Sequence, residues 1–426
     1  MSKILMASVP TSGHVNPGLP IARRLVERGH EVVWYCGSRF GERITATGAR
    51  FAPFRAATDF DDATVGHRFG PIHGRSLTAH VKFCIRHVFY GPMAAYYADM
   101  KEILKDFDAD VIVSDEWFTG GIPFSEKKEK KWIIYGSTPL MVLDDDAPTP
   151  GTGMMPDSSK YGRYRDKIAK IIFRLLFRNV EKDINALRAK IGLPAMTRFF
   201  VEQTVADSVL ALKFTTEAFE FPRKRIPPNI RFVGPVLPET DADPKFSWMD
   251  RLTEGRPVVF ITQGSVDNDL DKLILPSLKA LRDENVTLVV STGGRPAEGL
   301  QNRLQGRNVI FEPYIPYAHV MPRVSVMITN GGYGGVSTAL SYGVPLVVAG
   351  NSEDKPEIAS RIVYCGAGID LKTDRPSARK IRTSVTKILR QPSFRRNAER
   401  VRDDFAKHDA VKESVDLIEG ILAGKG

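Results

Sequence analysis

The sequence predicts two doubly wound, Rossmann-like α/β domains followed by a helical tail. Three observations carry that reading. A length of 426 residues is well above the ~150 residues of a single domain. Short apolar runs alternate with helical patterns in two separate series, the rhythm of parallel β-α-β units. Between the series, residues 234–256 are rich in Pro, Asp, Glu and Gly, the composition of a linker. The expected division is 1–235, a linker at 236–256, 257–392, and a tail at 393–426.

Residues 3–9 open the first series as a buried strand. Residues 17–28 have an amphipathic helical pattern, and Gly29 stands where a helix C-cap belongs, just before a second strand at 31–35. A helix at 39–46 and strands at 109–114, 132–135 and 208–214 continue the series. The second series places strands at 257–262, 286–291, 308–311, 325–329 and 345–349, most followed by a turn signal and a helical stretch. From Ser377 the pattern is almost wholly helical.

Composition narrows the function classes. Hydrophobic residues make up 42 % and charged residues 26 %, which excludes a collagenous, low-complexity or wholly disordered chain. The formal net charge of +10 admits nucleic acid, an anionic membrane surface or phosphorylated small molecules as partners. Three widely spaced cysteines, Cys36, Cys84 and Cys365, form no disulfide framework or metal motif and fit a reducing compartment. The first apolar run is too short for a signal sequence, and no window approaches ~18 consecutive apolar residues. A cytoplasmic location is expected, as a monomer or homodimer.

Ligand crevices of open parallel sheets lie at the carboxyl ends of strands, and three such loops are rich in small residues. They are Pro10-Thr11-Ser12-Gly13-His14-Val15-Asn16-Pro17, Thr262-Gln263-Gly264-Ser265, and Thr329-Asn330-Gly331-Gly332-Tyr333-Gly334-Gly335. Free backbone N–H groups and a helix dipole converging there can hold a phosphate. One such loop alone would be read as a tight turn; two in the same domain favour a ligand. The Gly331–Gly335 spacing is not G-x-G-x-x-G, which speaks against a nicotinamide site.

His14 lies between a glycine turn and a helix start at the end of the first strand. Asp115 ends the strand at 109–114. If those strands are neighbours, the carboxylate can orient the imidazole and make it a general base. If they are not, His14 reads as an ordinary structural histidine.

These residues resemble the family 1 UDP-glycosyltransferases of GT-B fold, especially bacterial macrolide and antibiotic types. The likeness rests on Gly13-His14-Val15-Asn16-Pro17, on PVVFITQGS at 257–265, and on NGGYGGVSTALSYGVPLVVAGNSEDKPE at 330–357, and it covers nearly the whole chain. It implies two domains facing a central cleft, with the acceptor site in the first, the donor site in the second, and a C-terminal helix crossing back. It also implies inverting, metal-independent transfer of a hexose from a nucleotide sugar to an acceptor hydroxyl. UDP-glucose is the first donor to expect and a TDP-sugar the second. His14 would be the base and Asp115 its partner. Gly13, Gly264, Ser265, Asn330, Gly331, Gly332, Gly334 and Gly335 would hold the diphosphate side of the donor. Tyr314 matches a Trp that stacks on the base, and Asp354 and Lys355 match an Asp-Gln pair on the sugar. The nucleotide sugar is then a co-substrate and no cofactor is needed.

Four departures accompany the likeness. Asn330 replaces a His, Gly335 a Ser or Thr, Thr338 a ribose-binding Glu, and Lys355 a Gln; Lys355 could return a positive charge to the site. Two rivals to the enzyme reading remain open. One is a nucleotide-sugar-binding accessory protein that does not catalyse. The other is a GT-B nucleotide-sugar epimerase, against which the Gly13-His14 and Asn16-Pro17 pairs speak.

The D-x-D triplets Asp108/Asp110, Asp241/Asp243 and Asp267/Asp269 fall at a strand entry, in the linker and at a helix start, where acids serve as caps. No metal is expected from them. His73, His80 and His87 recur every seven residues in a helical stretch, a rise of ~10.5 Å, too far for one ion to join all three. Residues 160–178 are basic and amphipathic. Ile168, Ile171, Ile172, Leu175 and Leu176 lie against Lys167, Lys170, Arg174 and Arg178. The favoured reading is a surface helix that buries its apolar face; the alternative is weak contact with an anionic membrane. No stretch interleaves aromatic and basic residues as a nucleic-acid binder does.

Overall fold

A computed structural model describes residues 1–70, 76–143, 147–238, 246–253, 255–264, 269–294 and 308–424. The first sheet contains β1 (Lys3–Ala7), β2 (Glu31–Cys36), β3 (Arg50–Pro53), β4 (Val111–Asp115), β5 (Lys131–Gly136), β6 (Leu210–Lys213) and β7 (Ile230–Phe232). Its order is β3-β2-β1-β4-β5-β6-β7, and every pairing is parallel. The second contains β8 (Val258–Thr262), β9 (Thr287–Ser291), β10 (Val309–Glu312), β11 (Val326–Thr329), β12 (Leu346–Val348) and β13 (Gly368–Asp370). Its order, β10-β9-β8-β11-β12-β13, repeats the same winding. Each sheet reverses direction beside its first strand, and the crevice of such a fold opens there.

Helices cover both faces of both sheets, so the central strands are apolar throughout rather than alternating. In β1, Leu5 and Ala7 enter one core layer, while Ile4 and Met6 enter the opposite one. Three strands escaped the sequence reading: β3, β7 and β13. Each is only three or four residues long, and each lies at an edge of its sheet. Their extended form is imposed by the neighbouring strand rather than by their own pattern.

The tail divides. The helix Pro392–Phe405 packs on the second domain, burying Ala398, Val401 and Phe405 with Val336 and Leu340. Only the last helix, Ala410–Leu422, returns to the first domain, where Ala410, Val415 and Ile418 join Ile4, Ile21 and Leu25. Arg28 clasps Glu419 at 2.6 Å and Asp416 at 2.7 Å on that seam.

The long basic helix runs from Lys160 to Lys190, and here the favoured expectation fails. Ile168, Ile171, Ile172, Leu175 and Leu176 are all exposed. The core-facing side is instead Phe173, Phe177, Val180 and Ile184. The histidine heptad is also broken. His80 lies in the helix Leu77–Phe83, and His87 lies in a wider π-type turn over Cys84–Phe89 that shifts the register. His87 packs at a tilt against Phe83, ring centroids 4.7 Å apart, and His73 lies outside the described residues. Asp108 pairs with Lys130, Asp110 accepts the Lys3 N–H at 2.8 Å, and Asp269 pairs with Arg375. Asp241, Asp243 and Asp267 lie outside the described residues. Among those described, no cluster of three or more acidic, His or Cys residues is arranged to hold a metal.

Candidate active site

β1 and β4 are hydrogen-bonded neighbours, with Ala7 in register with Ser114. That pairing brings His14 to Asp115. His14 sits in the single-turn helix Ser12–Val15, which is fixed from two sides. Asp62 accepts from the Ser12 N–H at 3.0 Å and from its hydroxyl at 2.6 Å. The Tyr135 hydroxyl donates to the His14 carbonyl at 3.3 Å.

His14 Nδ1 stands 2.8 Å from Asp115 Oδ1. The carboxylate is 2 % exposed and the imidazole 21 %, so one partner is locked and the other reaches the cleft. Asp115 is held by the Val9 N–H on Oδ2 at 2.7 Å and the Trp117 N–H on Oδ1 at 3.0 Å. A carboxylate used in this way accepts only, so Nδ1 carries the proton and Nε2 is left as the basic nitrogen. Burial pulls the His14 pKa down, but the charge and hydrogen bond of Asp115 outweigh it. Glu116 and Asp354 add to the upward pull, and the net value lies above 6.5.

The opposite wall is built mainly from backbone. Gly264 follows β8 at φ +74° and Gly331 follows β11 at φ +89°, a left-handed conformation that favours glycine. At Gly331 a Cβ would also meet Val348 Cγ1 at 2.8 Å. Gly332 and Gly334 differ: a Cβ there would find nothing within 4 Å, as is also true of Gly13 beside His14 on the first domain. Their missing side chains leave room rather than permit a turn. Gly332 caps the helix Tyr333–Ser341 without any side-chain hydrogen bond, so its first-turn N–H groups have no side-chain cap.

The departures from the family pattern have structural consequences. Asn330 Nδ2 donates to the Gln263 carbonyl at 2.6 Å, stitching the two glycine loops together. A Cβ on Gly335 would make only ordinary contacts, at 3.5 Å from Tyr317. The Thr338 hydroxyl turns back to the Gly334 carbonyl at 2.8 Å and is buried, so it faces no ribose. The Lys355 ammonium binds Ser352 Oγ at 2.8 Å and Glu353 at 3.2 Å, which offsets its charge locally. Asp354, beside it, has its pKa pushed up to about 6, by burial first and Glu353 second, with Lys355 and His14 pulling it back. Asp354 and His14 therefore feel each other across the cleft. Tyr314 lies beyond β10, 68 % exposed. Ser265 lies outside the described residues.

Several residues near the site carried no signal as isolated letters. Glu116 accepts from Lys213 and Thr138, each at 2.6 Å, at the carboxyl ends of β4, β5 and β6. Phe89 lies 6.0 Å from the His14 ring and 4.7 Å from Trp117, an aromatic wall beside the imidazole. Of the aromatic and Met residues between Phe83 and Met100, Met93, Tyr96 and Met100 are core. Between the domains, Arg361 binds Glu220 at 2.8 Å and Glu357 at 3.0 Å. Glu357 takes the Gly153 N–H at 2.6 Å, and Glu220 takes the Leu140 N–H at 3.0 Å. Position after a strand could have flagged Glu116 and Trp117; for Arg361 the local signal is only its i,i+4 spacing from Glu357.

Residues 278–421 match the family model of the erythromycin biosynthesis protein CIII-like C-terminal domain. Across 99 % of its length the chain is 41 % identical to 4'-demethylrebeccamycin synthase of Lentzea aerocolonigenes, covering 100 % of that protein. It is 28 % identical to UDP-glycosyltransferase 2 of Phaeomoniella chlamydospora, over 99 % of this chain and 96 % of that one. The fold is shared with a glycosyltransferase of Streptomyces sp. SF2575 solved with thymidine diphosphate. That match has a TM-score of 0.68 and 18 % identity over 98 % of this chain and 99 % of the other.

Proposed function

The chain belongs to the family 1 UDP-glycosyltransferases of GT-B fold, and from that membership we propose an inverting, metal-independent hexosyltransferase acting on a small, largely apolar alcohol or phenol. Sugar transfer from a nucleotide sugar is the activity of the family. The finer reading rests above all on the His14–Asp115 pair at 2.8 Å, with room beside His14 at Gly13 and, after β11, at Gly332 and Gly334.

In this reading the acceptor hydroxyl gives its proton to His14 Nε2. Its oxygen attacks the anomeric carbon from the side opposite the diphosphate. The new C–O bond forms as the anomeric C–O bond to phosphate breaks, and the diphosphate leaves with that electron pair. One displacement inverts the anomeric configuration. The growing negative charge on the leaving group meets the helix N-terminus at Gly332–Gly335 and the turn at Gly264, an arrangement suited to the transition state. Tyr314 offers a stacking face to the base, and Asp354 offers an acceptor to sugar hydroxyls. Asp115 stabilises the imidazolium formed during transfer.

UDP-glucose is the first donor, its UDP in keeping with the fungal relative's name, and a TDP-sugar is the second, in keeping with the Streptomyces complex. Three free cysteines favour a cytoplasmic setting. The test is incubation with UDP-glucose or TDP-glucose and a panel of phenolic, macrolide and sterol acceptors, with the product anomer read by NMR. A β-glucoside from the α-linked donor is expected. An α-glucoside overturns the single displacement. Donor binding without transfer or hydrolysis would make the chain an accessory protein, and donor isomerisation without acceptor an epimerase.

A further inference from the structure

The helix Lys160–Lys190 has 31 residues, a length of about 45 Å, and its first half presents three faces. Phe173 and Phe177 point into the first domain, where Phe173 packs on Phe199 at 5.3 Å and Phe177 on Phe200 at 6.1 Å. A second apolar row, Tyr161, Tyr164, Ile168, Ile171, Ile172, Leu175 and Leu176, faces outward; Ile171 is 61 % and Leu175 64 % exposed. The third row runs between these two along one side. At 3.6 residues per turn, Lys160, Arg163, Lys167, Lys170, Arg174 and Arg178 fall together there. Residues 160–178 contain seven basic side chains and one acidic one.

A buried face explains a surface helix on its own, so the second apolar row is surplus to folding. Seven large apolar side chains in consecutive turns exceed the scattered exposure normal for a monomer. We propose that this row and its basic border form a docking surface for an anionic lipid bilayer, the helix lying in the plane of the interface. Its composition suits that occupant. Ile and Leu side chains enter the acyl boundary, Lys and Arg meet anionic headgroups, and Tyr161 and Tyr164 present apolar rings with polar tips at the junction. A second copy of the chain suits it less. An isologous dimer through the apolar row would set two basic rows against each other. The helix rests on the membrane rather than crossing it: among the described residues no helix is long and apolar enough to span one.

Vesicle flotation tests the proposal with the full-length protein. The protein should float with mixed phosphatidylcholine–phosphatidylglycerol vesicles, stay behind with phosphatidylcholine alone, and be partly released by high salt. Ile171→Ser/Leu175→Ser should lower the bound fraction at least ~10-fold through lost apolar burial. Lys167→Glu/Arg174→Glu should do the same through lost headgroup attraction, at least ~10-fold. All four side chains are exposed, so melting temperature, helix content and transfer to a water-soluble acceptor should stay at their original values. Equal recovery of the unaltered protein in the vesicle-free fraction overturns the proposal. So does a dimer in sedimentation that Ile171→Ser/Leu175→Ser converts to monomer without any vesicle binding, which would assign the face to a second copy.

Discussion

The two walls of the cleft are made of different materials. On the first-domain side the groups at the strand ends are ionisable side chains: His14 and Asp115 at 2.8 Å, with Glu116 and Lys213 paired close by. On the second-domain side they are largely backbone, a neutral amide at Asn330 and glycines whose absent side chains leave space. On the proposed function a proton moves on the first side, which needs a titratable group near neutral pH. On the second side charge must only be tolerated as it appears, and oriented N–H groups do that without titrating. Damage to the first wall should therefore cost rate, and damage to the second should cost donor affinity or stability.

The sharpest way to break this contrast is His14→Ala. Loss of a general base should lower kcat by ~10²–10⁴-fold, while stabilisation of the protein by UDP in thermal unfolding persists. Retained turnover would remove His14 from the chemistry. Next comes Asp115→Asn, with kcat down by roughly 10²-fold or more. Its pH profile is more telling than its rate. In the unaltered protein the acid limb of kcat/KM should lie above pH 6.5, since His14 must lose its proton to act and its pKa is raised. Removing the Asp115 charge leaves burial to pull that pKa down, so the limb should move to lower pH. A limb that does not move would show that another group sets it.

The seam between the walls gives a third test. Arg361→Met leaves Glu220 and Glu357 buried without their cation. Breaking a buried pair on one side costs ~3–5 kcal/mol, readable in urea unfolding. Arg361→Met at unchanged stability would show that the two domains do not depend on this contact.

The smallest effects separate two kinds of glycine within one loop. Gly331→Ala puts a Cβ on a φ of +89° and 2.8 Å from Val348, with an expected loss of ~1–2 kcal/mol of stability. Gly332→Ala has a φ of −63° and open space, so stability should shift by less than ~0.5 kcal/mol. The added methyl should instead raise the donor KM by roughly tenfold, equivalent to ~1.4 kcal/mol. If Gly332→Ala leaves the donor KM unchanged, the open space beside it holds no donor.

The glycine wall was largely legible because its signal is local. A turn after an apolar run, followed by a helix, places N–H groups at one point whatever lies around it. The dyad was legible only as a condition, since 100 residues separate His14 from Asp115 and the strand order alone joins them. Arg361 had only the i,i+4 spacing from Glu357 as a local signature; its place between the domains comes from Glu220 on the other domain. The basic helix was misread for a related reason. Apolar spacing marks which residues share a face, but not which face a domain covers.

By itself, then, the sequence determined the two α/β windings, the glycine turns, and the resemblance that names the reaction class. Those features follow from backbone preferences and from apolar runs too short to be anything but strands. Only the tertiary structure decided that β1 lies beside β4, that Thr338 turns away from the cleft, and that the last helix alone crosses back. It also decided that the domain covers Phe173 and Phe177 while Ile171 and Leu175 stay in water. Each of these depends on which distant surface covers a segment and excludes solvent from it, and no local pattern contains that information.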